Sequence, residues 1–70
     1  MKYLVVTEKT QTGYSAYSPD ILGCVSTGAT LEEITQNIQE VLEFYIDSLI
    51  EEGLQIPDPS TYSAYVEVAA

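Results

Sequence analysis

The sequence predicts a small α+β domain in the order β-β-β-α-β, with one helix packed on a four-stranded sheet. Three observations carry this. The stretch from Thr30 to Gly53 has helical periodicity and a cap at each end. Short runs rich in β-branched and aromatic residues flank it, separated by turn residues. The chain has 70 residues, which suits one domain spanning 1–70.

Lys2 to Glu8 reads as the first strand. Tyr3, Leu4, Val5, Val6 and Thr7 favour extended backbone, and apolar residues on both faces suggest a central strand. Lys9 to Gly13 is polar and ends in glycine, a hairpin turn. Tyr14 to Ser18 forms the second strand. Pro19-Asp20 interrupts the ladder, because proline has no N–H to donate, and a bend or bulge is expected there. Ile21 to Gly23 makes an apolar corner before a short third strand, Cys24 to Thr27. Pro57 and Pro59 mark an irregular return after the helix. Tyr62 to Val68 alternates again, with Tyr62, Ala64, Val66 and Val68 on one side, and is expected to be a fourth strand. The expected spatial order is 3-2-1-4, with strand four parallel to strand one.

The helix is written most clearly. Thr30 is a good N-cap, and Glu33 three residues later can reach back to the Thr30 N–H to complete a capping box. Leu31, Ile34, Ile38, Val41, Leu42, Tyr45 and Leu49 fall on one stripe of roughly 100°. Glu33, Gln36, Glu40, Glu43, Asp47 and Glu51 fall opposite. Phe44 projects away from the stripe, and Ile50 lies near the acidic side. Gly53 can adopt the left-handed conformation that ends a helix.

Composition narrows function. The net charge is −9, with two lysines, no arginine and no histidine. Such a chain repels phosphate backbones, so direct nucleic-acid binding is not expected, whereas a basic protein partner is. A single cysteine, Cys24, excludes a disulfide within the chain and suits a reducing cytoplasm. No secretory signal or membrane-length apolar run is visible. The sequence contains no His/Cys metal cluster, Gly-rich phosphate loop or Ser–His pair. General acid–base chemistry would have to rest on carboxylates such as Glu8, Asp20 and Glu67, and carboxylates on strand one, the helix and strand four could in principle hold a divalent ion, but these acids have no recognisable spacing, so no cofactor, metal or catalytic residue is assigned. Six tyrosines against one phenylalanine can bury rings while keeping their hydroxyls wet, which suits contacts between proteins as well as the rim of a thin core. A domain this small is stable by a narrow margin, so self-association is expected.

The runs Gly13-Tyr14-Ser15-Ala16-Tyr17, Ser18-Pro19-Asp20-Ile21-Leu22-Gly23-Cys24, Ser26 to Glu33 and Glu52 to Pro59, together with the opening Lys2 to Val6, resemble the HicB-like antitoxins over nearly the whole chain. The resemblance implies a reduced ribonuclease-H-like unit without catalytic acids. It also implies a non-enzymatic role: masking a HicA toxin, a small basic protein that cleaves mRNA using a histidine. An acidic chain without histidine matches the antitoxin side of such a pair. Many family members carry a C-terminal DNA-binding domain. No basic extension follows the last expected strand here, so direct operator binding is not expected. The alternative is an orphan HicB-like scaffold or ligand-binding module. The expected contact residues are Tyr14, Tyr17, Asp20 and Leu22 around the Pro-Asp corner, with Phe44 and the acidic residues Glu40, Glu43 and Asp47 as a second surface.

Overall fold

A computed structural model describes residues 1–69. Three strands, β1 (Val6–Lys9), β2 (Tyr14–Ser18) and β3 (Ile21–Gly28), are followed by one helix, α1 (Leu31–Glu52). The sheet is antiparallel in the order β1-β2-β3. The β1–β2 hairpin closes where the Thr10 N–H donates to the Gly13 carbonyl at 2.8 Å and the Gly13 N–H donates to Thr10 Oγ1 at 3.1 Å.

Two boundaries differ from the sequence reading. β1 pairs only from Val6, not Lys2, and it lies at an edge of the sheet instead of its centre. β3 starts at Ile21, not Cys24. Its start is bulged: Tyr17 stands opposite Val25, while Ser18 stands opposite Ile21, so three residues of β3 face one step of β2. Gly23 takes φ +84° within this bulge, a conformation disfavoured for residues with a Cβ.

The largest difference is the expected fourth strand. Tyr62 to Val68 makes no strand, and the sheet of the described residues has three strands, not four. After α1 the chain runs back past Tyr3, whose hydroxyl donates to the Pro57 carbonyl, and reaches the β2–β3 corner at Asp20. From there it extends into solvent. The Cα radius of gyration is 14.0 Å, against about 11 Å for a compact chain of this length.

The helix caps form largely as expected. Thr30 Oγ1 accepts from the Glu33 N–H at 3.1 Å. Glu33 Oε1 accepts from the Ala29 N–H at 3.3 Å, one residue earlier than the expected Thr30 N–H. At the other end Gly53 has φ 70° and ψ 22°. Its N–H donates to the Ile50 carbonyl and that of Leu54 to the Leu49 carbonyl, the paired bonds of a Schellman ending.

The core is thin. Ala16, Ile34 and Ile38 are buried together, with Val5, Tyr14 and Leu42 packed against them. Ile21, Cys24 and Ser18 are also buried, and the Ser18 hydroxyl donates to the Leu4 carbonyl at 2.8 Å. The middle of the expected stripe faces the sheet, but Leu31, at its start, is exposed. The helix sits close to β3 because Gly28 has no side chain: a Cβ there would lie 2.8 Å from the Ile34 nitrogen and 3.0 Å from its Cα. Since these are backbone atoms, Gly28→Ala is expected to cost about 1–3 kcal/mol, as overpacking does elsewhere. Urea unfolding checks this, and an unchanged midpoint would mean that α1 can shift freely on β3.

Candidate functional site

Among the described residues, no group of three His, Cys, Asp or Glu side chains is placed to hold a metal ion. Cys24 is buried, and burial pushes its thiol above the ordinary cysteine range, away from the reactive thiolate. What the fold offers instead is surface, in three parts.

The first part is the sheet face away from α1. Here Val6, Tyr17 and Val25 form one row across all three strands. Tyr17 and Val25 are exposed, and Leu22, in the bulge of β3, is 86 % exposed. The second part is the solvent side of α1, where Glu40, Glu43 and Asp47 are exposed and Phe44 stands 79 % exposed beside them. A lone phenylalanine held in water on a well-capped helix costs apolar hydration with no return in the isolated chain.

The third part is a groove of about 770 Å³ between α1 and the free side of β1. Tyr3, Val5, Ile38, Leu42, Ile46 and Ile56 supply its apolar lining, with Glu43 and Asp47 among the residues around it. The sequence reading missed this groove. Its trace in the sequence was the two-sided apolar character of residues 3–6, which signalled a further neighbour for β1.

The residues expected around the Pro-Asp corner do not form one patch. Tyr14 lies at the far end of β2, opposite Gly28, and packs against the core. Tyr17 lies at the other end of the strand. Asp20 is occupied: its Oδ1 accepts from the hydroxyls of Thr61 at 2.7 Å and Ser60 at 3.0 Å, and its Oδ2 from their backbone N–H groups at 3.2 Å and 3.1 Å. The Thr61 hydroxyl foremost, with Ser60 and the two amides, holds the Asp20 carboxyl below the usual carboxylate range.

A folded value below the unfolded one, about 3.9, gives the sign. The clasp contributes fully above the unfolded value and is lost as pH falls through the folded one. The amide resonances of Ser60 and Thr61 are therefore expected to move together on acidification from about pH 6 to about pH 2, and Asp20→Asn should abolish that titration. Resonances that stay fixed in the native chain would contradict the clasp.

The described residues thus present an open sheet face, an acidic helix side and an apolar groove, and comparison with known proteins shows the family. The model of the HicB-like antitoxins of bacterial toxin–antitoxin systems matches residues 3–69. The chain belongs to this family. The antitoxin HicB 2 of Photorhabdus laumondii is 38 % identical over 71 aligned positions, covering 100 % of this chain and 51 % of that protein. A UPF0150 protein of Synechocystis is 48 % identical over 56 residues, 79 % of this chain and 71 % of its own length. An uncharacterised 14.9 kDa protein of Haemophilus phage HP1 is 33 % identical over 66 residues, 94 % of this chain and 50 % of that protein. This chain thus spans about half the length of the HicB 2 and phage relatives. Among solved structures, a chain of the HicA3 and HicB3 toxin–antitoxin complex superposes with a TM-score of 0.71 at 35 % identity, covering 86 % of this chain and 70 % of that one. The α+β architecture of three antiparallel strands and one helix is therefore one found in a HicA–HicB assembly.

Proposed function

We propose that this chain is a non-enzymatic antitoxin that neutralises a small basic HicA-type toxin by masking it. The observation that carries the proposal is the superposition on a chain of a HicA–HicB complex, joined to the family match over residues 3–69. The charge of −9 supports it, since a basic toxin would be steered to this surface. Tyr17, Leu22 and Phe44 are the proposed apolar contacts, and Glu40, Glu43 and Asp47 the proposed steering residues. Tyr14 and Asp20 act behind them, Tyr14 in the core and Asp20 in the clasp.

The antitoxin acts in the cytoplasm, self-associates, and does not itself bind nucleic acid. Its acidity supports the last point. Among the described residues, no helix is long and apolar enough to cross a membrane. The ribonuclease-H-like sheet of four strands belongs to the assembled protein.

Co-expression of the tagged chain with the product of the adjacent gene tests the proposal. A stable complex with a small basic protein is the expected result. A chain that elutes with no such partner, and leaves HicA-type RNA cleavage untouched, would favour the orphan scaffold.

A further inference from the structure

The segment after the clasp is a strand without a sheet. Tyr62, Val66 and Val68 are 91 %, 81 % and 80 % exposed, and every residue from Tyr62 to Ala69 is in solvent. Apolar and aromatic residues alternating along an extended chain favour a half-buried strand, and leaving them in water is costly. The segment carries one charge, Glu67.

Meanwhile β1 has the complementary vacancy. It pairs with β2 on one side only, and the groove beside its other edge is lined by Tyr3, Val5, Ile38, Leu42 and Ile46. An open edge with an apolar groove under a helix is the place where a sheet accepts another strand. Lengths agree: Tyr62 to Val68 spans about 23 Å at about 3.3 Å per residue, and so does the run from Tyr3 to Lys9.

The chain's own segment cannot fill its own groove. Pro57 is held at Tyr3, beside the start of β1, and Ser60 and Thr61 are held at Asp20, in the β2–β3 corner. Between these two anchors the chain crosses from the β1 side of the sheet to the β3 side. To return, Tyr62 and its successors would have to pass back over β2 and β1 and open the four bonds to Asp20.

We propose that Tyr62 to Val68 of one copy pairs with the β1 edge of a second copy, with Tyr62, Ala64, Val66 and Val68 seated under that copy's helix, and that the exchange is reciprocal. A two-fold pair satisfies both arms and both grooves at once. Each sheet then gains a fourth strand in the order 3-2-1-4, supplied by the partner copy. The acidic rim at Glu43 and Asp47 accepts a nearly neutral strand, and the arm is one. This pairing of two copies needs no toxin.

Sedimentation equilibrium of the full chain is the experiment, with Val66→Asp/Val68→Asp as the variant. These side chains are largely exposed in their own copy, so the variant should keep its circular dichroism. The expected result is a dimer, twice 7.7 kDa, whose dissociation constant rises at least about tenfold in the variant, in line with the loss of about 1.4 kcal/mol or more per mole. Amide exchange adds a readout on the unmodified chain: the amides of Tyr62 to Val68 should be protected at high concentration and lose protection on dilution. A monomer at all concentrations, a dimer unmoved by the variant, or arm amides that stay unprotected in the dimer would each overturn the proposal.

Discussion

Replacing Ile38 with alanine is expected to cost about 2–5 kcal/mol, the range for removing a buried branched side chain whose site cannot collapse. Ile38 is 2 % exposed and shares a three-residue core with Ile34 and Ala16. A domain of this length has only about 4–10 kcal/mol to lose, so the variant should be partly unfolded at physiological temperature. Leu42→Ala should cost less in the isolated copy, because Leu42 is only partly buried and lines the open groove. Urea unfolding monitored by circular dichroism gives both values. Equal costs, or a cost near zero at Ile38, would mean that the helix is held by something other than this core.

Reversing Glu40, Glu43 and Asp47 to lysine is expected to slow association with a basic HicA-type toxin by about 10–100-fold at low ionic strength. Each reversal moves the charge by two, taking the chain from −9 to −3. All three residues are exposed on α1, so the fold should survive. The difference from the unmodified chain should shrink as salt rises, since exposed charges are screened over about 8–10 Å near physiological ionic strength. Stopped-flow association across a salt series measures it. A rate that does not change at low salt would place the acidic helix away from the approach path.

What the sequence revealed follows from how local each signal was. Thr30, Glu33 and Gly53 act on atoms within about one helical turn, so the helix and its limits could be read directly. The exposure of Phe44 and Ile50 followed from the same periodicity. The hairpin at Lys9 to Gly13 and the irregularity at Pro19-Asp20 were equally local, although the bulge fell on β3, at Leu22 to Cys24.

The failures were non-local. Asp20 reads as a surface acid because its partners, Ser60 and Thr61, are forty residues away. Nothing near Gly28 announces that the Ile34 backbone will approach it. Leu31 fits the stripe by angle, yet it stands at the first residue of α1 with little sheet beneath it. The fourth strand shows the limit most plainly. Residues 62–68 have strand propensity, but propensity does not say which edge they join or whose. Tyr14 and Tyr17 are three apart on one strand, so the pleat sends them to opposite faces.

RNA cleavage by a HicA-type toxin, titrated with the purified chain, shows whether this surface masks a toxin. Cleavage should fall in proportion to added chain and stop at a fixed stoichiometry, with the charge-reversed variant slower to inhibit. Cleavage that continues undiminished in excess chain would mean that the chain does not mask such a toxin.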